Sequence, residues 1–156
     1  MAGKWIFNMK ILIINGPNLN LLSHRSSNHY GQMDLLEIEK WLSELEPSIE
    51  IKWVQSNLEG EIVEYIQQVA VSDECKGLII NPGGFSHTSV AILDALQICT
   101  KPKLEVHLSQ VYQRGADRQF LTARACDGVI SGLKQWGYYM AIKYLKESLR
   151  DEISND

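Results

Sequence analysis

The sequence predicts a doubly wound α/β domain built on a mostly parallel sheet. Three observations lead there. Short β-branched runs alternate with helical stripes five times along the 156 residues. The runs KILIIN and GLIIN are nearly continuous in apolar residues, as strands covered on both faces must be. Gly16-Pro17 stops the first of these runs, and Pro82-Gly83-Gly84 stops the other.

KILIIN (10–15) is the first strand. DLLEIEKWLSELE (34–46) follows as a helix, with apolar residues at 35, 38, 41, 42 and 45 and Asp34 as N-cap. EIKWVQS (50–56) is the second strand, and EGEIVEYIQQVAV (59–71) a helix whose positions 62, 66 and 69 share one face. GLIIN (77–81), SVAILDALQIC (89–99) and PKLEVHLS (102–109) give strand, helix, strand. A polar segment, QVYQRGADRQ, leads to a short strand GVISG (128–132) and a closing helix, YYMAIKYLKESLR (138–150). This length suits one domain. It is placed at 9–150, with 1–8 as an N-terminal extension and 151–156 as a frayed tail.

Bulk properties narrow the function classes. Hydrophobic residues make up 45% of the chain and charged residues 22%, the balance of a soluble globular protein. The net charge is −4 with no Lys/Arg cluster, which argues against nucleic acid or an anionic membrane as partner. No run approaches the roughly 18 apolar residues of a membrane span. Cys75, Cys99 and Cys126 are far apart and odd in number, as expected of reduced thiols in a cytoplasmic protein.

In a parallel α/β sheet the ligand site lies beyond the carboxyl ends of the strands, near the point where strand order reverses. Three polar clusters fall at such ends: NGPNLNLLSHRSSNHYG, NPGGFSHTS and EVHLSQVYQRGADR. Alone, NPGGFSHTS would be a tight turn with Thr88 or Ser89 capping the next helix. Asn81 and His87 flank the ligand edge, however. His107 and Glu105 alternate along one strand and so share a face, which suits a general acid with an orienting carboxylate. No nucleophile motif and no metal-ligand spacing stands out. The remaining chemistry is acid–base work on an anionic, hydroxylated small molecule, with arginines for its charge.

IINGPNLNLL, QSNLEGEIVEYI, INPGGFSHTSVAILDA and EVHLS, in this order and spacing, resemble the type II 3-dehydroquinate dehydratases, from about Met9 to Leu145. The resemblance implies a single flavodoxin-like domain with a five-stranded parallel sheet, assembled as a dodecamer, a tetramer of trimers. It also implies a cofactor-free and metal-free hydro-lyase of the shikimate pathway, converting 3-dehydroquinate to 3-dehydroshikimate by anti elimination through an enolate. Carried over by position, Tyr30 would be the base for the C2 proton, with Arg25 on the same lid. A free tyrosine is only about 0.1% ionised at neutral pH, and a cation within about 4–6 Å favours the ionised form. Asn18 would stabilise the enolate with a water. His107 would protonate the leaving C1 hydroxyl, oriented by Glu105. Asn81, His87 and Arg118 would bind ring hydroxyls, and Leu108 and Ser109 the carboxylate. Asp94 would reach the site of a neighbouring subunit.

The chain departs from the family pattern at two places. Ser27 stands where the lid carries a proline, which predicts a more flexible lid. Along the rim, Gln110, Tyr112 and Gly115-Ala116-Asp117 replace the usual residues, although Arg114 and Arg118 keep their four-residue spacing. Two alternatives therefore accompany the dehydratase reading: an enzyme acting on a related cyclic hydroxy-acid, and a ligand-binding relative without catalysis. Trp41, Trp53 and Tyr65 are expected as packing residues, and Trp136-Gly137-Tyr138-Tyr139 as packing or subunit contact.

Overall fold

A computed structural model describes the backbone from Met9 to Ser154 and side chains to Asp151; the expected extension 1–8 and residues 155–156 lie outside the described residues. Five strands form one wholly parallel sheet: β1 (Met9–Asn15), β2 (Ile49–Gln55), β3 (Cys75–Asn81), β4 (Lys103–His107) and β5 (Gly128–Ser131). Their order is β2-β1-β3-β4-β5, so the direction of winding reverses between β1 and β3. That is the flavodoxin-like order, and it places the crevice of the sheet over those two strands.

The helices are α1 (Ser27–Tyr30, a single turn), α2 (Leu35–Leu45), α3 (Glu59–Val71), α4 (Val90–Ile98) and α5 (Trp136–Ser154). The strand period of two divides β1 between two cores. Ile11 and Ile13 pack with Ile38 and Leu42 of α2 and with Ala141, Ile142 and Leu145 of α5. Leu12 and Ile14 pack on the other face with Ile62 and Ile66 of α3 and Ile92 and Leu96 of α4. Each such side chain contributes roughly 1.5–3 kcal/mol when fully buried. Trp41 and Trp53 pack against the first core and Tyr65 against the second, as expected of packing residues.

The local signals act where the sequence places them. Asp34 accepts from the Glu37 amide at 2.9 Å, and Glu37 returns a bond to the Asp34 amide at 2.8 Å, closing a capping box on α2. Ser89, one of the two expected caps, accepts from the Ile92 amide at 2.9 Å. The last helix differs from expectation: it starts at Trp136 and continues through Ser154, beyond the end placed near Arg150. Its buried stripe of Tyr138, Ala141, Ile142, Leu145 and Leu149 packs into the first core. Among the described residues, no helix is long and apolar enough to cross a membrane.

Register brings the two strand-end asparagines together, with Asn15 opposite Asn81. The loops leaving β1 and β3 then pass in contact. A Cβ on Gly16 would lie 2.4 Å from the Pro82 carbonyl oxygen, so only glycine lets the two backbones approach this closely.

Candidate active site

Loops leaving β1, β3 and β4 enclose a cleft of about 220 Å³ at the switch point. Its β1 wall begins at Pro17 and Asn18. Asn18 takes a left-handed conformation, φ 68°, which asparagine tolerates better than most residues. Its backbone N–H donates to Asn57 Oδ1 at 3.0 Å, tying the bend to the loop after β2.

The chain then turns through a 3₁₀ segment anchored by buried Leu19 and Leu22 and reaches α1. The Tyr30 N–H donates to the Ser26 carbonyl at 3.0 Å, and Gly31, at φ 88°, ends the turn. Polar residues 26–29 stay exposed while Tyr30 is only 7% exposed. Arg25 Nη2 donates to the Tyr30 hydroxyl, and the guanidinium carbon lies 3.8 Å from the ring centroid. Arg114 approaches the same ring at 5.2 Å. The lid arginine and tyrosine thus form one unit, whereas His24 and His29 remain on the exposed side.

Ser27 occupies the first helical position of α1. An N–H there has no intrahelical partner, so proline is tolerated. Ser26 has ψ 118°, an extended value compatible with a following proline. Ser27→Pro is therefore expected to raise stability by about 0.4–1 kcal/mol by restricting the unfolded chain. Thermal denaturation checks this, and a lowered Tm would show that the turn does not accept the ring.

The opposite wall comes from β4. Glu105 is 0% exposed and accepts three hydrogen bonds: from Ser86 Oγ at 2.5 Å, Thr122 Oγ1 at 2.6 Å and His107 Nε2 at 2.7 Å. Since a carboxylate accepts, the His107 proton on this side sits on Nε2, and Nδ1 is the nitrogen left for a ligand. Phe120 and His87 pack beside the His107 ring at 5.1 and 6.2 Å between centroids. His87 Nδ1 in turn donates to the Gln119 carbonyl at 2.6 Å.

Charge in the cleft is one-sided. Arg25, Arg114 and Arg118 line it with His87 and His107, and no carboxylate does. Burial lowers the Arg114 pKa from its usual value; Tyr30 opposes this, while Arg118 and Arg25 add to it. Arg118 Nε is buried without a hydrogen-bond partner, a donor that an anionic ligand would satisfy. The site is built for an anion.

The structure brings together Asn18, Arg25, Tyr30, Asn81, His87, His107, Leu108, Ser109 and Arg118, all of which line the cleft. Glu105 lies behind it. Asp94 does not join them, being on the exposed side of α4. Sequence reasoning placed Arg114 among the arginines at the ligand edge but gave it no assigned role; its Nη1 donates to Ser109 Oγ at 3.3 Å inside the cleft. Ser86, Thr122 and Phe120 were not identified. Ser86 sits in a motif singled out for its glycines, and nothing in the segment around 120–122 marks its residues as partners of β4. Among the described residues no cluster of histidine, cysteine and acidic groups is placed to hold a metal ion. The thiols are free, and burial, aided by Glu105, pushes Cys126 up to about 12, away from reactivity.

The family profile described as "Dehydroquinase class II" matches residues 9–146. A 3-dehydroquinate dehydratase of Thermotoga petrophila is 42% identical over 146 residues, covering 92% of this chain and 99% of the relative. The Fusobacterium nucleatum 3-dehydroquinate dehydratase is 44% identical over 144 residues, covering 89% and 97%. Among solved structures, a type II dehydroquinase from Butyrivibrio crossotus superposes with a TM-score of 0.84 at 41% identity, covering 89% of this chain and 98% of that one. A 3-dehydroquinate dehydratase-like protein from Bifidobacterium longum gives 0.66 at 26%, covering 91% and 98%.

Proposed function

This chain belongs to the class II dehydroquinase family, and from that premise we propose that it dehydrates 3-dehydroquinate to 3-dehydroshikimate through an enolate. The observation that carries the mechanism is the pair of acid–base units in one anion-selective cleft: Tyr30 bonded to Arg25, and His107 bonded to Glu105.

The Tyr30 phenolate takes the C2 proton, and the electron pair moves onto the C3 carbonyl oxygen as an enolate. Arg25 holds the oxygen that carries charge before the transfer. Asn18, with a water, stabilises the enolate oxygen. The enolate then re-forms the carbonyl, the C1–O bond breaks, and protonated His107 gives its proton so that water leaves. Glu105 holds the imidazolium that acts as donor. Solvent returns one proton to His107 and takes one from Tyr30, so the cycle closes with no net consumption of either group. Arg118, Asn81 and His87 bind ring hydroxyls, and Leu108 and Ser109 take the carboxylate.

The chain acts as a homo-oligomer, a dodecamer built from trimers, in the cytoplasm. The exposed position of Asp94 on α4, beside exposed Val90 and Ile98, supports its reaching a neighbouring subunit's site.

The direct test mixes purified protein with 3-dehydroquinate and follows the ultraviolet absorbance of the conjugated enone. Absorbance is expected to rise catalytically. A folded protein that binds the compound without turnover would favour the non-catalytic reading. The altered rim supports one further alternative: exposed Tyr112 stacks edge-on to Phe120 at 5.4 Å beside the cleft. Faster turnover of another cyclic hydroxy-acid in direct competition would favour that reading.

A further inference from the structure

We propose that Tyr138, buried beneath the cleft and outside its lining, is a positioning residue that fixes which way the Asn81 amide faces. The inference uses the dehydratase reading for its ligand and goes beyond it in assigning a role to α5.

Side-chain amides are nearly symmetrical in shape, so something other than packing must choose between oxygen and nitrogen at each end. Here a hydrogen-bond chain of fixed polarity does so. Asn15 Nδ2 donates to the Val54 carbonyl at 3.4 Å, which turns Asn15 Oδ1 toward Tyr138. The Tyr138 hydroxyl donates to that oxygen at 2.5 Å. The same hydroxyl accepts from Asn81 Nδ2 at 3.1 Å, and Asn81 Oδ1 accepts from the Gly83 N–H at 3.3 Å.

Both ends of the chain are backbone groups that cannot exchange roles, because the Val54 carbonyl only accepts and the Gly83 N–H only donates. A flipped Asn81 would set its NH₂ against the Gly83 donor and its oxygen against a hydroxyl already committed to Asn15. The link between the asparagines must both accept and donate, which a hydroxyl does and a phenyl ring cannot. Bulk water does not reach the link: Asn15 and Tyr138 are 0% exposed and Asn81 2%. Burial also pushes the Tyr138 phenol up, against the opposing Asn81 bond, which keeps the linking proton in place. Trp53, with its ring 5.1 Å from that of Tyr138, holds the phenol laterally. The amide hydrogen of Asn81 not used by Tyr138 is thus kept for a ligand oxygen, since Asn81 lines the cleft.

The test is a double-mutant cycle read as the Kd for 3-dehydroquinate, in a Tyr30→Phe background where the compound persists. Tyr138→Phe and Asn81→Ala are each expected to weaken binding about 3- to 10-fold, the scale of one hydrogen bond. The double variant is expected to be no weaker than Asn81→Ala alone. Losses that add would overturn the inference, as would an unchanged Kd in Tyr138→Phe, because a purely structural tyrosine predicts either result. Should Tyr138→Phe not fold, NMR of the Tyr30→Phe chain with Tyr138 intact decides: the Asn81 side-chain amide should give one signal pair, with one hydrogen protected and the other shifted by 3-dehydroquinate. Two signal sets, or no shift with ligand bound, would overturn it. Coupled losses without turnover by the unsubstituted chain would sink the dehydratase reading alone. Additive losses with turnover would sink this inference alone, and absence of both binding and turnover would sink both.

Discussion

Tyr30→Phe is expected to lower kcat on 3-dehydroquinate by at least about 10²–10⁴-fold, the range that positioned acid–base groups contribute. The substitution removes one oxygen and little else. The ring stays in the first core, where it packs with Leu19 and Leu22, and both guanidiniums keep a π face to rest on. Fold and affinity are therefore expected to persist while the proton acceptor is gone. Arg25 loses the oxygen it donates to, yet it is half-buried on a lid and can turn to solvent, so the stability cost is small. Steady-state absorbance gives kcat, and calorimetric titration gives Kd. A variant that turns over within a few-fold of the unsubstituted chain would remove Tyr30 from the role of base. A variant that also fails to bind would instead make it a residue of the binding surface.

Glu105→Gln should give the second largest effect, a fall in kcat of about 10²-fold with a stability loss of about 1–3 kcal/mol. Glu105 is a buried acceptor that meets three donors: Ser86, Thr122 and His107. A glutamine has one acceptor oxygen and must direct an NH₂ toward at least one of them. The hydroxyls of Ser86 and Thr122 can rotate to accept. His107 responds by moving its proton from Nε2 to Nδ1, which leaves a neutral imidazole, a much weaker acid than the imidazolium, or by losing the partner that stabilises its charged form. Either response weakens the donor needed at the departing hydroxyl. Rates measured across pH, with chemical denaturation in parallel, separate the catalytic from the structural part. A kcat within about twofold of the unsubstituted chain would mean that the carboxylate only fills space.

The alternation of strand and helix was legible because β-branched runs and 3.6-residue stripes are local properties of the chain. So was the placement of Asn15 and Asn81, since each ends an apolar run beside a glycine or proline turn. Asp34 and Ser89 act as the expected caps because capping needs only the next three residues. What stayed hidden is what distance in sequence separates. Thr122 meets Glu105 from a 3₁₀ turn with no apolar period to announce it. Tyr138 read as packing because nothing near the start of a helix signals that its hydroxyl will meet asparagines on two strands. Arg114 was visible as half of a spaced pair, but whether it faces the cleft depends on how Gly115, at φ 127°, turns the rim.

The position of α5 at the end of the chain has a consequence for biosynthesis. A ribosome releases β1, β3 and β4 long before Tyr138 emerges, so until then the first core lacks Ala141, Ile142 and Leu145, and both asparagine amides lack their linking hydroxyl. The nascent chain can assemble its sheet early, but the face awaiting α5 stays greasy and the cleft floor unset until synthesis is nearly complete. Early termination, or proteolytic loss of this segment, would therefore leave a sticky precursor in place of a smaller working enzyme. Quality-control proteases would meet it with its largest apolar face uncovered.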